Sequence, residues 1–316
     1  NHQAPSVGAA AGGAEIGVRN LSTWGDTLGL TVSRNRGGAN ADAAWTVPLR
    51  AGRTLLGLRV ARSHASVVEE PLAQLDVDSV VRTHEVSVLQ PLVDDTRTRW
   101  VLGLTASVKR NATTLGGEPF SFVAGNNSGV TQARSARLLQ EWSQREGSRV
   151  LALRTVLTLG TNNLPSPVLL EEQPRRRYAA LLLQGQGVWA LDDRGTQLAL
   201  RTSAQLAPQR LVPTEQFAVG GRHSVRGYRE NQLVRDRGWS TSLELRRSVA
   251  WGEGTPQRAT LVAFADAGSA ANVGEASTQL ASLGLGGQWQ AKGADVELYW
   301  GRALKTLPKP PERDLQ

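Results

Sequence analysis

The chain contains no cysteine and no methionine among its 316 residues. Disulfide frameworks, thiolate metal sites and thiol nucleophiles are thereby excluded. The histidines, His2, His64, His84 and His223, stand at no ligand spacing and have no accompanying carboxylate cluster, so we expect no metal and no other cofactor. No run approaches the roughly 18 apolar residues that a membrane-spanning helix needs. Neither a Gly-x-Ser-x-Gly elbow nor a Walker loop occurs, and Gly220-Gly221 lacks the strand-to-helix setting of a phosphate cradle. Ser224 beside His223 alternates onto the opposite face, so no nucleophile is activated, and we expect no catalytic residue and no enzyme. Asn1 to Val7 has neither the basic start nor the apolar core of a signal peptide, and the first residue reads as a cut inside a longer protein.

What is present is polar and glycine-rich: 33 glycines, 9 tryptophans, a mean hydropathy of -0.29 and a formal charge of +8. Nucleic acid is not the partner this charge suggests, because the arginines are spread along the whole length instead of forming one patch. Basic side chains lining a wet lumen and rimming a membrane account for the spread better.

Alternation is the dominant signal. Between Asp26 and Arg34, Leu28, Leu30 and Val32 oppose Thr27, Gly29, Thr31 and Ser33. From Arg99 to Lys109, Trp100, Leu102, Leu104, Ala106 and Val108 oppose Gly103, Thr105, Ser107 and Lys109. The same two-residue period runs through Thr196–Ala207, Trp239–Val249 and Ala294–Arg302. A period of 3.6 would scatter these residues around a helix, so they are strands with one apolar face. A soluble sandwich shares that pattern, but these runs exceed the usual five or six residues and reach the length a tilted strand needs to cross a bilayer. The tryptophans, at or near the strand ends, suit an interfacial girdle.

The connections alternate too. Short turns at 50–52, 94–96, 145–147 and 192–195 lie between long links at 66–79, 111–130, 161–175 and 208–237. Outer-membrane barrels have tight periplasmic turns and long external loops, which orients the chain. Strands are expected at 1–7, 10–19, 26–35, 40–49, 54–65, 80–91, 98–110, 131–144, 149–160, 177–191, 196–207, 238–250, 258–267, 280–290 and 294–303. The expected fold is an all-β transmembrane antiparallel barrel over 1–316, with about 15 strands of a 16-strand type, cut at both ends.

The most informative link runs from Phe217 through Gly220, Gly221 and Val225-Arg226-Gly227-Tyr228 to Glu230. Read from physics alone, it is a glycine-rich surface loop with an anion-binding Gly-Gly turn. Its spelling resembles the VRGY motif of the outer-membrane protein-transport superfamily, and Phe264-Ala-Asp266-Ala-Gly268 resembles that family's FxDxG motif. The resemblance implies a loop folded back into the lumen, with Arg226 paired to Asp266. A bare alternative is that Asp266 caps a turn before Gly268. The opening of the chain, including Asn20-Leu-Ser-Thr-Trp-Gly25-Asp26, is similar to transporter barrels of the haemolysin secretion/activation family. That family implies an outer-membrane location, two-partner secretion of an exoprotein client, contact with outer-membrane lipid and lipopolysaccharide, and periplasmic POTRA domains and a last strand that are missing here. The alternative within the superfamily is a barrel insertase; a plain porin has no use for the two motifs. Arg226→Ala is expected to abolish transport, and exchanging the charges of Arg226 and Asp266 to restore part of it.

Overall fold

The computed structural model describes residues 10–49, 54–70, 72–121, 126, 128–164, 174–251 and 257–306. In chain order its strands are β1 (Ala11–Arg19), β2 (Thr27–Asn35), β3 (Gly38–Leu49), β4 (Thr54–Ser66), β5 (Val77–Asp94), β6 (Thr98–Leu115), β7 (Glu118–Pro119), β8 (Val130–Glu146), β9 (Arg149–Asn162), β10 (Arg177–Ala190), β11 (Thr196–Leu206), β12 (Phe217–Val219), β13 (Leu233–Arg235), β14 (Arg237–Trp251), β15 (Gln257–Ala271), β16 (Thr278–Ala291) and β17 (Ala294–Ala303). Fourteen of them form one continuous antiparallel path in which chain neighbours are sheet neighbours; β7 adds to β6 to make a 15-stranded sheet. β12 and β13 form a separate ribbon within the long connection between β11 and β14. The expected strand at 1–7 and the expected turn at 50–52 lie outside the described residues.

The sheet must curve around an interior, because the single segment between β11 and β14 touches widely separated parts of it. Lys109 on β6 reaches Glu215 at 2.9 Å, while the amide of Gly227 lies against Gly301 on β17. The alternation read from the sequence sets the two faces. Leu298, Leu261 and Leu104 point outward with 76, 69 and 58% of their surface free. In water each such leucine forgoes roughly 1.5–3 kcal/mol of burial; against lipid chains it forgoes nothing. Trp100, Trp239, Trp251, Trp289 and Trp300 share this exposed outer surface. The inner face carries Ser240, Ser242, Glu244 and Asp266, all buried under the inserted segment.

Three strands, β5, β6 and β15, are markedly longer than the sequence reading, β15 running to Ala271 where 267 was expected. β5 and β6 are each 18 residues long and extend past the apolar band, shortening the links expected at 66–79 and 111–130. Polar cross-strand pairs hold this extension: Ser79 donates to Asn111 at 2.7 Å, and the Ser79 hydroxyl lies 3.5 Å from that of Thr113.

At the short-turn end, Asp26 organises the connection from β1 to β2. Its carboxylate accepts from the Trp45 indole N–H at 2.7 Å, the Ser22 hydroxyl at 2.7 Å and the Ser22 amide at 2.9 Å. Asn20, at φ 58°, turns the chain and accepts from the Gly25 amide at 2.8 Å. The Trp45 and Ser22 hydrogen bonds hold the Asp26 carboxyl below the usual carboxylate range. With the folded pKa below the unfolded one, its stabilisation is complete above about pH 4 and is lost as the pH falls through the lowered value. The Trp45 indole N–H resonance should therefore titrate with a midpoint below about 3.9. A midpoint at or above that value, or the same titration in Asp26→Asn, would contradict this assignment.

Candidate functional site

The connection from β11 to β14 turns inward, and Arg226 is the point at which it grips the wall. Its Nε donates to Asp266 Oδ2 at 2.8 Å and its Nη2 to Asp266 Oδ1 at 2.7 Å, a two-pronged pair closed by the Arg226 amide on Oδ2 at 3.0 Å. Nη1 donates to Glu244 Oε1 at 2.7 Å and Nη2 also to Ser242 Oγ at 2.8 Å. The guanidinium carbon lies 3.5 Å from the Phe264 ring centre and 5.4 Å from that of Tyr299. The side chain of Arg226 is 7% exposed and that of Asp266 0%. Burial alone would lower the guanidinium pKa, but hydrogen bonds and charge from Asp266 and Glu244 raise it above its ordinary value. Only arginine fits this nest: the planar fork matches one carboxylate in two prongs, leaves a third direction for Glu244 and stacks on an aromatic face.

β14 and β15 supply the receiving groups by alternation. Ser242 and Glu244 share the inner face of β14, Phe264, Asp266 and Gly268 that of β15, and Ser242 and Asp266 stand directly opposite one another. Asp266 is thus in mid-strand and caps no turn.

The other motif residues seat the loop around this contact. Val225 is fully buried with Phe217, Val219, Leu233, Ala270 and Leu280 in a small apolar core. Gly268 leaves room for it: a Cβ there would come within 2.7 Å of Val219 Cγ1 and 3.1 Å of Val225 Cγ2. Gly227, at φ +86°, turns the chain against the backbone of Gly301, where a side chain would be both strained and obstructed. The Tyr228 hydroxyl lies 3.0 Å from the Ala281 carbonyl and 2.9 Å from that of Lys305, and accepts from the Lys305 amide at 3.1 Å. Gly220 and Gly221 do form a tight positive-φ turn, but the carboxylate of Glu230 occupies it, accepting from the Arg222 amide at 3.1 Å. The anion suggested by that turn is supplied by the loop itself.

Two further contacts were not apparent in the sequence. Glu215, in a short 3-10 turn (Pro213–Glu215), meets Lys109 at 2.9 Å and Arg137 at 3.4 Å. Arg137 bonds Glu85 at 2.9 Å, Glu85 bonds Arg59 at 2.9 Å, and Arg59 bonds Asp42 at 2.6 Å, so alternating charges run along the inner wall from β8 to β3. Asp236, fully buried at the end of the connection, accepts from the amides of Leu211 and Val273 and from Gln216. Both residues read as ordinary loop charges because their partners are distant in sequence.

The family model described as haemolysin secretion/activation protein ShlB/FhaC/HecB matches residues 1–289. This chain belongs to that family. It is an outer-membrane β-barrel, as its relatives are. No curated protein sequence matches it. Among solved structures it is similar to CdiB from Escherichia coli, with TM-score 0.81 and 18% identity over 95% of this chain and 56% of that one. CdiB from Acinetobacter baumannii gives TM-score 0.72 at 18% identity, covering 93% and 53%. BamA from Haemophilus ducreyi lacking POTRA domains 1-3 gives 0.66 at 16%, covering 95% and 65%. At these identities the likeness shows the fold, and the chain spans little more than half the length of either CdiB.

Within this haemolysin secretion/activation barrel, the nest around Arg226 changes one expectation. Exchanging Arg226 and Asp266 would set a carboxylate beside Glu244, a like-charge contact in a buried site, so the exchange should restore nothing. The two grips should also separate experimentally. Asp266→Ala leaves the guanidinium with an unfilled fork, at a cost of about 3–5 kcal/mol; amide exchange at 225–228 should quicken while 213–217 stays protected. Glu215→Ala should do the reverse, and equal loosening of both segments in either variant would refute two independent anchors.

Proposed function

We propose that this barrel is the pore of an outer-membrane transporter that passes a secreted partner protein outward, with the segment 208–237 seated in the lumen as its plug. The observation that carries this reading is the clasp of Arg226 to Asp266, Glu244 and Ser242: a long external connection is held inside the interior by charge-assisted bonds. A pore for small solutes has no need of such an insert. Beyond the plug, the inner wall carries Arg, Glu, Ser and Gln side chains. They offer an unfolded polypeptide many weak, exchangeable polar contacts. Membership of a family named for secretion and activation supports the same reading.

The seat works through shape as well as charge. Gly268 and Gly227 let the loop backbone approach the wall, Val225 fills the space they leave, and Tyr228 pins the descending chain to β16. Removal of Arg226 leaves Asp266 buried without its cation, which tilts the plug away from its seat.

In cells that make the full-length transporter and its client, Arg226→Ala should cut client release by about tenfold or more, since tenfold corresponds to only about 1.4 kcal/mol. The amount of barrel in the outer membrane, and of unrelated outer-membrane barrels, should be unchanged. Undiminished release in both Arg226→Ala and Asp266→Ala would end the proposal; loss of unrelated barrels would favour an insertase.

A further inference from the structure

The outward face is not uniformly apolar below the external loops. On β6 the lipid-facing run from Trp100 through Leu102, Leu104 and Ala106 to Val108 is followed on the same face by Arg110, which is exposed. At about 3.3 Å per residue and the usual tilt, that run spans about 20–25 Å, the height of an outer-membrane apolar band. Arg110 therefore stands at the boundary between lipid chains and outer-leaflet headgroups.

Its neighbours repeat the arrangement. Arg110 is directly opposite Arg82 on β5, and Arg82 directly opposite Arg62 on β4. Beyond them, Thr161 on β9 is the common register partner of Arg134 on β8 and Arg177 on β10, and Arg34 extends the arc to β2. All six are exposed, and among the described residues none has an ion-pair partner. Over β11 to β16 the outward positions Thr202, Ala204, Thr241 and Ala267 are uncharged, and the one outward base in the upper part of those strands, among the described residues, is Arg237 at the first residue of β14.

Like charges directly opposite on adjacent strands destabilise a sheet, with Cβ atoms only about 4.5–5.5 Å apart. Three arginines in one row are an arrangement that an anion between them relieves. The ligand must also be amphiphilic, because apolar side chains continue below on the same face: Val60 and Val108 flank His84 one row down and Val86 and Leu104 lie beyond it, with Val60, Val86 and Leu104 exposed by 51, 49 and 58%. Arginine stems run along such a surface while their heads reach the headgroup level, where the fork binds phosphate in two prongs. We infer that the outer faces of β4, β5 and β6 form a binding site for the phosphate of an outer-leaflet glycolipid, with Arg62, Arg82 and Arg110 as its ligands and Arg34, Arg134 and Arg177 flanking it. The inference rests on the membrane location of the barrel and not on the transport reading, so a failure of secretion tests leaves it untouched.

The test uses the full-length protein purified in zwitterionic detergent, with bis-phosphorylated lipid A as the probe and heat unfolding of the barrel as the readout. Lipid A should raise the melting temperature of the parent. The combined variant R62Q, R82Q, R110Q should bind it at least about tenfold more weakly, having lost charge-assisted contacts, while R237Q should match the parent. Dephosphorylated lipid A should give no shift. Without lipid, the triple variant should melt no lower than the parent, because the repulsion between its strands is gone. Equal binding by parent and triple variant, an equal shift from dephosphorylated lipid A, the whole shift from inorganic phosphate alone, or a lower lipid-free melting temperature in the triple variant would each overturn the site.

Discussion

A guanidinium buried inside a strand-built wall is costly unless its nitrogens find acceptors, and each of the three nitrogens of Arg226 does. Both oxygens of Asp266, one of Glu244 and the hydroxyl of Ser242 are committed to it. The position of the inserted segment depends on this satisfaction. Were the carboxylates elsewhere, the arginine would remain in water and the connection would lie outside. A buried ion pair of this kind is weak evidence for stability, since an apolar replacement packs as well; its value lies in direction. It specifies which side chain meets which strand, and so holds one loop conformation among many.

The small residues follow from the same constraint. To bring a guanidinium against mid-strand carboxylates, the loop backbone must approach β15 and β17 more closely than side chains normally permit. Gly268, Gly227 and Gly301 are the places where it does. Phe264 lies under the cation, and Gly284 makes room for its ring, since a Cβ there would collide with it. Val225 and Tyr228 then hold the two sides of the turn, one by apolar filling and the other by hydrogen bonds to backbone. Each motif position has a separate physical task, and none is interchangeable with its neighbour.

What could be read in the sequence was whatever has a local signature. Alternation is local, so the outward leucines and the inner serines of β14 were legible from spacing alone, and so were the turns marked by Asp and Gly. Val225 to Tyr228 and Phe264 to Gly268 were legible by resemblance, and strand parity put Phe264 and Asp266 inside. Glu244 was legible only as an inward residue of β14. Its bond to Arg226 depends on how the loop enters, which no spacing records. Glu215 and Asp236 were hidden for a stronger reason: Lys109 lies 105 residues before Thr214, whose carbonyl it also reaches, and a partner that distant is brought near only by curvature of the sheet. The ends of β5 and β6 were missed because polar ladder pairs such as Ser79 with Asn111 continue a strand after its apolar face has stopped.

The formal charge of +8 also acquires a physical division. Inside, Arg59 lies between Asp42 and Glu85, Arg137 between Glu85 and Glu215, and Arg226 between Glu244 and Asp266, while Arg201 has no carboxylate partner among the described residues. Where these charges are paired they leave little net field to repel or capture a polypeptide of either sign. Further unmatched charge stands on the outer surface, where Arg62, Arg82 and Arg110 face the headgroup level with no carboxylate among the described residues to meet them. One residue type thus serves opposite ends according to strand parity. Turned inward, Arg59, Arg137 and Arg226 lock to acids of the same chain; turned outward, Arg62, Arg82 and Arg110 are left for the membrane to neutralise. A shift of one residue in the register of β5 would exchange these roles, burying Arg82 in the lumen and setting Glu85 against lipid. The charge pattern therefore opposes register slips as firmly as the apolar pattern does.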